Sequence, residues 1–365
     1  MYKNELDTPS LILDLDLFER NLILMRDFAA AHNKKLRPHA KTHKCPHIAK
    51  KQMEAGNCAG ICAAKLSEAE VLASSGINDI LITSPVTAPW KITKLGVLNK
   101  KISSLKVVVD SFEQMELLAN EASCDNPMHI LIDVDPEMGR TGVSFEDAPA
   151  LGRMAANYPS LVLDGVQCYA GHLQHIHSYK ERAEESCRLM KKGAEVFHIL
   201  KKEFPACHIY TGGGTGTSPA DMQIKELTDI QVGSYCMMDS EYLAVEHGGP
   251  AFFPALKIRT SIISAHRKGE ATLDAGTKSI YVTPSAPPLV IRNGKICKEF
   301  SYSWDYGDEH GHLFFPENIK FKNGDILEMI VSHCDPTINL FDILYVVKGE
   351  EVVAKWDIAL RGCVR

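Results

Sequence analysis

Residues 105–134, LKVVVDSFEQMELLANEASCDNPMHILIDV, show most clearly the pattern that indicates the fold class. Two short runs rich in apolar and β-branched residues, 105–110 and 129–134, flank an amphipathic segment. That segment opens with Ser111 and has Gln114 three residues later, which is the spacing of a helix capping box. Two short apolar runs with a capped helix between them predict a βαβ unit with parallel strands.

The same alternation repeats on both sides of this unit. Pro46 and Gly56 mark the start and end of one intervening helix, and Ser67 with Glu70 has the spacing of another capping box. The candidate strands are residues 35–40, 58–63, 79–83, 105–110, 129–134, 161–168, 206–211 and 229–233. Eight such repeats predict an α/β fold, a (β/α)8 barrel of the TIM type. A doubly wound sheet is the alternative, but no Gly-x-Gly-x-x-Gly turn follows the first strand.

The character of the sequence changes near residue 254. Residues 256–265, 289–291, 326–331 and 341–347 are β-rich runs separated by Gly and Pro turns. We therefore predict two domains, a barrel over residues 1–253 and an all-β domain over residues 254–365. No Ser/Gly-rich linker joins them, so we expect the two domains to pack tightly.

Composition excludes several classes of protein. The 365 residues include 46 acidic and 40 basic side chains, a formal net charge of −6. No block of five or more basic residues occurs, which argues against a nucleic-acid partner or an anionic membrane surface. The N-terminus is charged where a signal peptide would be apolar, and no window approaches the ~18 apolar residues of a membrane span. We expect a cytoplasmic protein with a small-molecule partner and reduced cysteines.

Residues just past the predicted strands carry the candidate chemistry, because barrel enzymes build their sites there. Lys41 follows the first strand and could form a Schiff base with a carbonyl cofactor, although a single lysine is usually solvated. After strand seven, Gly213 and Gly214 lie in a glycine run flanked by threonines, which is either a phosphate-binding loop or a tight turn. A lysine and a phosphate loop at one barrel mouth together suggest pyridoxal phosphate.

Four motifs carry a resemblance to a known family. They are Asp7-Thr8-Pro9, Arg37-Pro38-His39-Ala40-Lys41-Thr42-His43-Lys44, Gly213-Gly214-Thr215 and Gly233-Ser234-Tyr235. The chain resembles the D-threonine aldolase and D-serine dehydratase group of the alanine-racemase-like, fold type III enzymes, over essentially its whole length. The resemblance implies that Lys41 holds pyridoxal 5'-phosphate, that Lys44 is structural, and that the enzyme is a homodimer.

The resemblance also implies roles for residues around the cofactor. Arg140 resembles the family's arginine near the cofactor ring, and Gln167 and Tyr169 resemble wall residues. Tyr235 and the backbone of Gly213, Gly214 and Thr215 resemble phosphate contacts. His172 and His175 are both candidates for an acid/base role, and the sequence leaves open which of them acts.

A metal pair is predicted in the second domain. His333 and Asp335 follow the apolar run 326–331, and in an extended chain their side chains point to the same side. The resemblance implies His-x-Cys with zinc in the dehydratases and His-x-Asp with manganese or magnesium in the aldolases. Asp335 therefore favours Mn²⁺ or Mg²⁺, with Zn²⁺ possible, unless a register slip recruits Cys334.

Three further patterns are weaker. His39, His43 and His47 have i, i+4 spacing for a metal, but Pro38 and Pro46 argue against a continuous helix. The resemblance suggests that the polar cluster at residues 305–312 approaches the active site. Residues 274–278 also resemble a family motif, although Asp274 and Lys278 could simply form an ion pair.

The predicted activity is a lyase that cleaves D-3-hydroxy amino acids, such as D-threonine, to glycine and an aldehyde. The first alternative is a dehydratase acting on D-serine or D-3-hydroxyaspartate, which would release ammonia and an oxo acid. The second alternative is a non-catalytic pyridoxal-phosphate carrier, which would leave His333 and Asp335 without a role. A racemase would leave the same pair unexplained.

Overall fold

The computed structural model describes residues 1–305 and 307–365 and contains two sheets. The strands of the first sheet, all parallel, are β2 (Lys35–Leu36), β3 (Ile61–Ala63), β4 (Asp79–Ile82), β5 (Ser104–Val109), β6 (Met128–Val134), β7 (Leu161–Cys168), β8 (Ile209–Gly212) and β9 (Asp229–Ile230). Their order is β2-β9-β8-β7-β6-β5-β4-β3, and isolated parallel bridges join Leu36 to Cys58 and His39 to Cys62. The edge strands therefore meet, and the predicted barrel is confirmed.

Helices surround this barrel. They are α1 (Leu15–Ala31), α2 (Pro46–Ala55), α3 (Leu66–Ser74), α4 (Pro89–Asn99), α5 (Phe112–Glu121), α6 (Ala148–Met154), α7 (Tyr179–Glu203), α8 (Ser218–Asp221) and α9 (Ser240–Leu243). Pro46 begins α2 and Gly56, with φ +93°, ends it, as predicted. Ser111 caps α5 by accepting from the Gln114 amide.

The capping box predicted at Ser67 and Glu70 is wrong. The N-cap of helix α3 is Lys65, two residues before Ser67, and Glu68 accepts from the amides of Ala64 and Lys65 at 2.7 and 3.2 Å. The Ser67 hydroxyl donates instead to the Arg365 carbonyl at 2.7 Å. Glu68, three residues after Lys65, thus takes the position in the capping box that the prediction gave to Glu70.

The second sheet has ten strands, β1 (Ser10–Asp14), β10 (Leu256–Ser264), β11 (Glu270–Leu273), β12 (Leu289–Arg292), β13 (Lys295–Ile296), β14 (Ser301–Ser303), β15 (Gly311–Phe314), β16 (Ile326–Ile330), β17 (Ile343–Lys348) and β18 (Glu351–Asp357). The N-terminal strand β1 lies in its middle, antiparallel to β10 and parallel to β17. The first residues of the chain thus pass through the C-terminal sheet before α1 leads into the barrel.

The helix α10 (Cys334–Ile338) is separated from β16 by three residues, and His333, its N-cap, and Asp335, in its first turn, lie next to the barrel residue Lys41. Buried residues of both sheets form one continuous hydrophobic cluster, so the two domains pack against each other as expected. In the part of the chain that is described, no helix combines the length and the apolar character needed to cross a membrane.

Candidate active site

A cavity of about 450 Å³ lies at the carboxyl ends of the barrel strands. Four of the predicted site residues line it, namely Lys41, Arg140, Gln167 and Tyr169. The Arg140 guanidinium lies 5.2 Å from the centre of the Tyr169 ring. The barrel therefore brings together residues from the loops after its first, fifth and sixth strands.

Lys41 extends from this cavity to the second domain, where its Nζ donates to Oδ2 of Asp335. Burial alone would raise the pKa of Asp335, but the Lys41 and His333 charges hold that pKa well below its usual range. Burial disfavours the charged lysine, yet Asp335 and Tyr169 raise the pKa of Lys41 above its ordinary value. The candidate cofactor lysine and the candidate metal carboxylate thus form an ion pair, although 294 positions separate them in the sequence.

His333 lies beside this ion pair, and the Asp239 carboxylate contacts its Nδ1 on the side away from Asp335. Its Nδ1 is 3.0 Å from Oδ2 of Asp239, and its Nε2 is 3.9 Å from Oδ1 of Asp335. Burial lowers the pKa of His333, but the Asp239 hydrogen bond and the neighbouring carboxylates raise it overall. A carboxylate behind Nδ1 fixes the tautomer that leaves Nε2 available to a metal.

The structure places His333 and Asp335 side by side but corrects the backbone geometry predicted for them. His333 is extended, but Asp335 is already in the first turn of α10, so the chain does not continue as a strand. Oδ1 of Asp335 is buried and accepts no hydrogen bond from the described residues. An orphaned carboxylate oxygen close to an imidazole nitrogen fits a divalent cation.

The donor set is small. Among residues 1–305 and 307–365, no group of three or more His, Cys, Asp or Glu side chains is arranged to hold a metal ion. Two protein ligands leave positions for water and substrate, which is the arrangement of a catalytic rather than a structural ion.

Cys334, between the two candidate ligands, points away from them. It is fully buried, its thiol donates to the Met238 carbonyl at 3.3 Å, and its amide donates to Asp239 at 2.9 Å. Burial and the nearby carboxylates raise the pKa of the Cys334 thiol well above its usual value. A neutral, inward-facing thiol is a poor metal ligand.

The two candidate acid/base histidines have different surroundings. The His175 ring centre lies 6.1 Å from that of His333, and its Nε2 is 3.6 Å from Oε2 of Glu241. Burial lowers the pKa of His175 below its ordinary value, although Glu241 opposes this. His172 is exposed in a short 3-10 turn, and its one described interaction is electrostatic, with Glu185.

The glycine loop after β8 has a fixed shape. Gly213 has φ +69°, and a Cβ there would lie 2.4 Å from Oδ2 of Asp221. The Thr215 hydroxyl accepts from the Tyr235 amide at 3.1 Å, so the predicted phosphate loops after β8 and β9 meet. The Tyr235 ring itself is buried, and its hydroxyl accepts from Gln52 at 3.3 Å.

Gln167 is part of a polar network in the barrel. Its amide donates to Asp133 at 2.8 Å, and its carbonyl accepts from Gln231 at 3.0 Å. Burial raises the pKa of Asp133 to about 6, although Gln167 and Thr141 stabilise its charged form. This network holds the Gln167 side chain at the cavity wall.

The structure separates the three regularly spaced histidines. His39 bonds Thr83 at 3.1 Å, and His43 bonds Gln52 at 3.2 Å. His47 is exposed and stacks on Trp356 at 5.8 Å. Each ring has a different neighbour, so they form no common metal site.

The weaker polar motifs also differ from expectation. Asp274 accepts from three hydroxyl groups and an amide, of Thr8, Thr260 and Ser261, and makes no ion pair with Lys278. Lys278 pairs with Glu309 at 2.6 Å. Tyr306 lies outside the described residues, and the rest of the 305–312 cluster does not line the barrel cavity.

Sequence reasoning missed Asp239 and Glu241, which support the two histidines. Oδ1 of Asp239 also caps α9 by accepting from the Tyr242 amide at 3.0 Å. The signal was present, since Asp239-Ser240-Glu241 is a helix-capping sequence just beyond the loop after strand eight.

The residues present fit both groups that the chemistry suggests. Lys41 in a cavity with Arg140 and Tyr169 fits pyridoxal phosphate. The predicted phosphate residues Gly213, Gly214, Thr215 and Tyr235 contact each other but do not line this cavity. His333 and the orphaned oxygen of Asp335 fit a divalent cation.

Comparison with known proteins gives matches over nearly the whole chain. Residues 13–241 match the family of the alanine racemase N-terminal domain, and residues 255–347 match the serine dehydratase domain family. A D-threonine aldolase of Arthrobacter sp is 36% identical over 98% of this chain and 94% of its own. A 3-hydroxy-D-aspartate aldolase of Paracoccus denitrificans is 33% identical over 99% of this chain and 94% of its own. The crystal structure of a D-threonine aldolase from Filomicrobium marinum superposes with a TM-score of 0.94 at 33% identity, covering 100% of this chain and 98% of that one.

Proposed function

Because this chain belongs to the D-threonine aldolase and D-serine dehydratase family of pyridoxal-phosphate lyases, we propose that it is an aldolase of D-3-hydroxy amino acids. Its substrate is D-threonine or a D-amino acid with another β-substituent, and its products are glycine and an aldehyde. Its cofactors are pyridoxal 5'-phosphate on Lys41 and a divalent cation, Mn²⁺ or Mg²⁺ in preference to Zn²⁺, on His333 and Asp335.

One observation carries the proposal. Nζ of Lys41 is in contact with Asp335, whose other oxygen lies 3.9 Å from Nε2 of His333. A substrate whose amino group reaches Lys41 therefore has its β-carbon substituent close to the candidate metal pair. This is the arrangement needed to act on a Cα–Cβ bond that carries a hydroxyl group.

Each cofactor has one task. Pyridoxal phosphate, when bound, withdraws the electrons left at Cα by bond cleavage, and a divalent cation lowers the pKa of a hydroxyl bound to it.

The chain's own residues orient the substrate and move the proton. His175 is the proposed acceptor of the β-hydroxyl proton, because its lowered pKa keeps the ring neutral at pH 7. Glu241 favours a proton on Nε2 of His175 and so leaves Nδ1 as the basic nitrogen. Asp239 holds His333, while Arg140, Gln167 and Tyr169 form the wall. Tyr235 and the loop of Gly213, Gly214 and Thr215 would bind the phosphate group of the cofactor.

Aldolase is favoured over dehydratase by the residue at position 335. A carboxylate prefers a hard cation, whereas a thiophilic ion would favour a cysteine. Cys334 supports this choice because its thiol donates to a carbonyl away from the pair.

The test is a product assay on the holoenzyme with D-threonine and D-serine, with and without chelator. Glycine and acetaldehyde from D-threonine, lost in chelator, are the expected result. Asp335→Asn should abolish turnover, whereas Cys334→Ala, one residue away, should retain most of it. Ammonia and an oxo acid as products would assign the chain to the dehydratases, and full activity of Asp335→Asn in chelator would refute the metal pair.

The dehydratase remains the second candidate, because the match over residues 255–347 is to the serine dehydratase domain. A carrier without activity would show no turnover of either substrate. The homodimer stays a prediction that light scattering of the holoenzyme measures, and the cytoplasmic location and the division at residues 253 and 254 stay predictions too.

A further inference from the structure

A second cavity, of about 480 Å³, lies on the C-terminal sheet and shares no lining residue with the barrel cavity. Its charged lining residues are Lys3, Arg259, Arg292, Asp325, Glu328 and Glu350. None of these side chains has a role in the proposed aldolase reaction.

Arg259 is the unusual member. It is only 6% exposed, its Nε is buried without a hydrogen-bond partner, and no carboxylate of the described residues lies within salt-bridge distance. The carboxylates of Glu328 and Glu350 form ion pairs with Lys3 instead, at 2.9 and 3.0 Å. Burial lowers the pKa of Arg259 below its usual value, although both glutamates oppose this.

The neighbours of Arg259 add a second observation. Ser10 on β1 is its direct cross-strand partner, and the Ser10 hydroxyl is also buried without a partner. Cross-strand partners share a face of the sheet, so two unsatisfied donors lie side by side. Arg292, across the cavity, is stacked on Phe321 at 4.7 Å.

Unsatisfied buried donors are rare, and an unpaired buried cation is costly. We propose that this cavity binds a small carboxylate, held by the fork of Arg259. The cavity carries three cationic and three anionic side chains, so its lining is neutral overall. A neutral lining suits a single carboxylate and disfavours a phosphate dianion. A zwitterionic amino acid would also place its ammonium near the glutamates.

The experiment is a ligand-observed NMR titration of the holoenzyme with acetate, glycine and inorganic phosphate. Acetate tests the carboxylate alone. Glycine tests whether an ammonium adds affinity, and because glycine is also the proposed product at Lys41, only the part of its binding that Arg259→Met removes is assigned to this cavity. Arg259→Met should weaken acetate binding at least about tenfold, the loss expected for a charge-assisted pair. The matched control is Lys257→Met, which removes a cation from the same strand. Lys257 already pairs with Asp14 at 3.4 Å and does not line the cavity, so its loss should leave binding unchanged.

Three results would overturn the site: no acetate binding, binding that Arg259→Met leaves unchanged, or phosphate binding tighter than acetate. Thermal unfolding in ligand-free buffer gives an independent measurement. Removing an unpaired buried charge should raise the midpoint by about 1–4 °C, whereas a purely structural arginine would lower it. Arg259→Lys keeps the charge but loses the fork, so an affinity equal to wild type would also contradict the proposal.

Discussion

Replacing Asp239 with asparagine tests whether the carboxylate behind His333 prepares it as a metal ligand. Asp239 is fully buried, and its two oxygens accept from three donors: His333 Nδ1 at 3.0 Å, the Cys334 amide at 2.9 Å and the Tyr242 amide at 3.0 Å. Asparagine offers one acceptor oxygen and an NH₂ group, so at least one of these donors meets another donor.

The effect on the metal follows from the tautomer. Oδ2 of Asp239 accepts from both His333 and Cys334, so the oxygen of asparagine cannot serve these two and Tyr242 together. If the amide oxygen faces His333 and Cys334, the bond to Nδ1 remains but loses the negative charge that makes His333 a more basic ligand. If the NH₂ group faces His333 instead, it favours a proton on Nε2, the nitrogen that would bind the metal. Loss of such a supporting hydrogen bond typically costs about 10–100-fold in metal affinity, or ~1.4–2.7 kcal/mol. The orphaned amide should cost about 1–3 kcal/mol of folding stability in addition.

The assay is a titration of the chelator-treated holoenzyme with Mn²⁺, followed by the return of activity. Asp164→Asn is the matched control, because Asp164 is also buried and accepts from a histidine, His129, at 2.9 Å in the barrel. It should lose stability but keep its Mn²⁺ affinity. An Asp239→Asn enzyme with the Mn²⁺ affinity of wild type would refute the tautomer reasoning.

Three other predictions follow from the site. Lys41→Ala should fold normally but lose the visible absorption of the lysine-bound cofactor; retention of that spectrum would show that another amine holds it. His175→Gln should lower kcat by about 10²–10⁴-fold, the usual contribution of a general base, whereas His172→Gln should change kcat little, and steady-state kinetics of the two variants distinguish them. Burial raises the pKa of Asp221 to about 6, above its unfolded value, so the folded state binds an extra proton between about pH 4 and 6 and loses stability as the pH rises through that window. Asp221→Asn should flatten this slope, which urea unfolding at pH 4.5 and pH 7 measures; an unchanged slope would mean that Asp221 is ionised throughout.

The barrel could be predicted because its information is local. Every predicted strand of the first domain overlaps an observed one, and residues 161–168 coincide with β7. Apolar runs, caps and turn residues report on the few residues around them, and each βα repeat carries its own copy of that signal. The position of Lys41 just beyond the first strand placed it correctly at the barrel mouth.

Errors arose where two local signals competed or where partners were distant in sequence. Helix α10 begins at Cys334, between the two residues, so the extended-chain rule failed for Asp335 although His333 is extended. Asp274 found hydroxyl groups on Thr8 and Ser261 instead of Lys278, because strand pairing brought those groups closer.

The fold class, the lysine at the barrel mouth and the pair of residue types at 333 and 335 could all be predicted from local sequence patterns and the family resemblance. Four features became visible only in the folded chain: Lys41 contacts Asp335, Asp239 supports His333, Cys334 faces inward, and β1 joins the C-terminal sheet. The physical reason is that periodicity and capping depend on neighbouring residues, whereas these contacts depend on how two separately patterned domains pack their buried faces together.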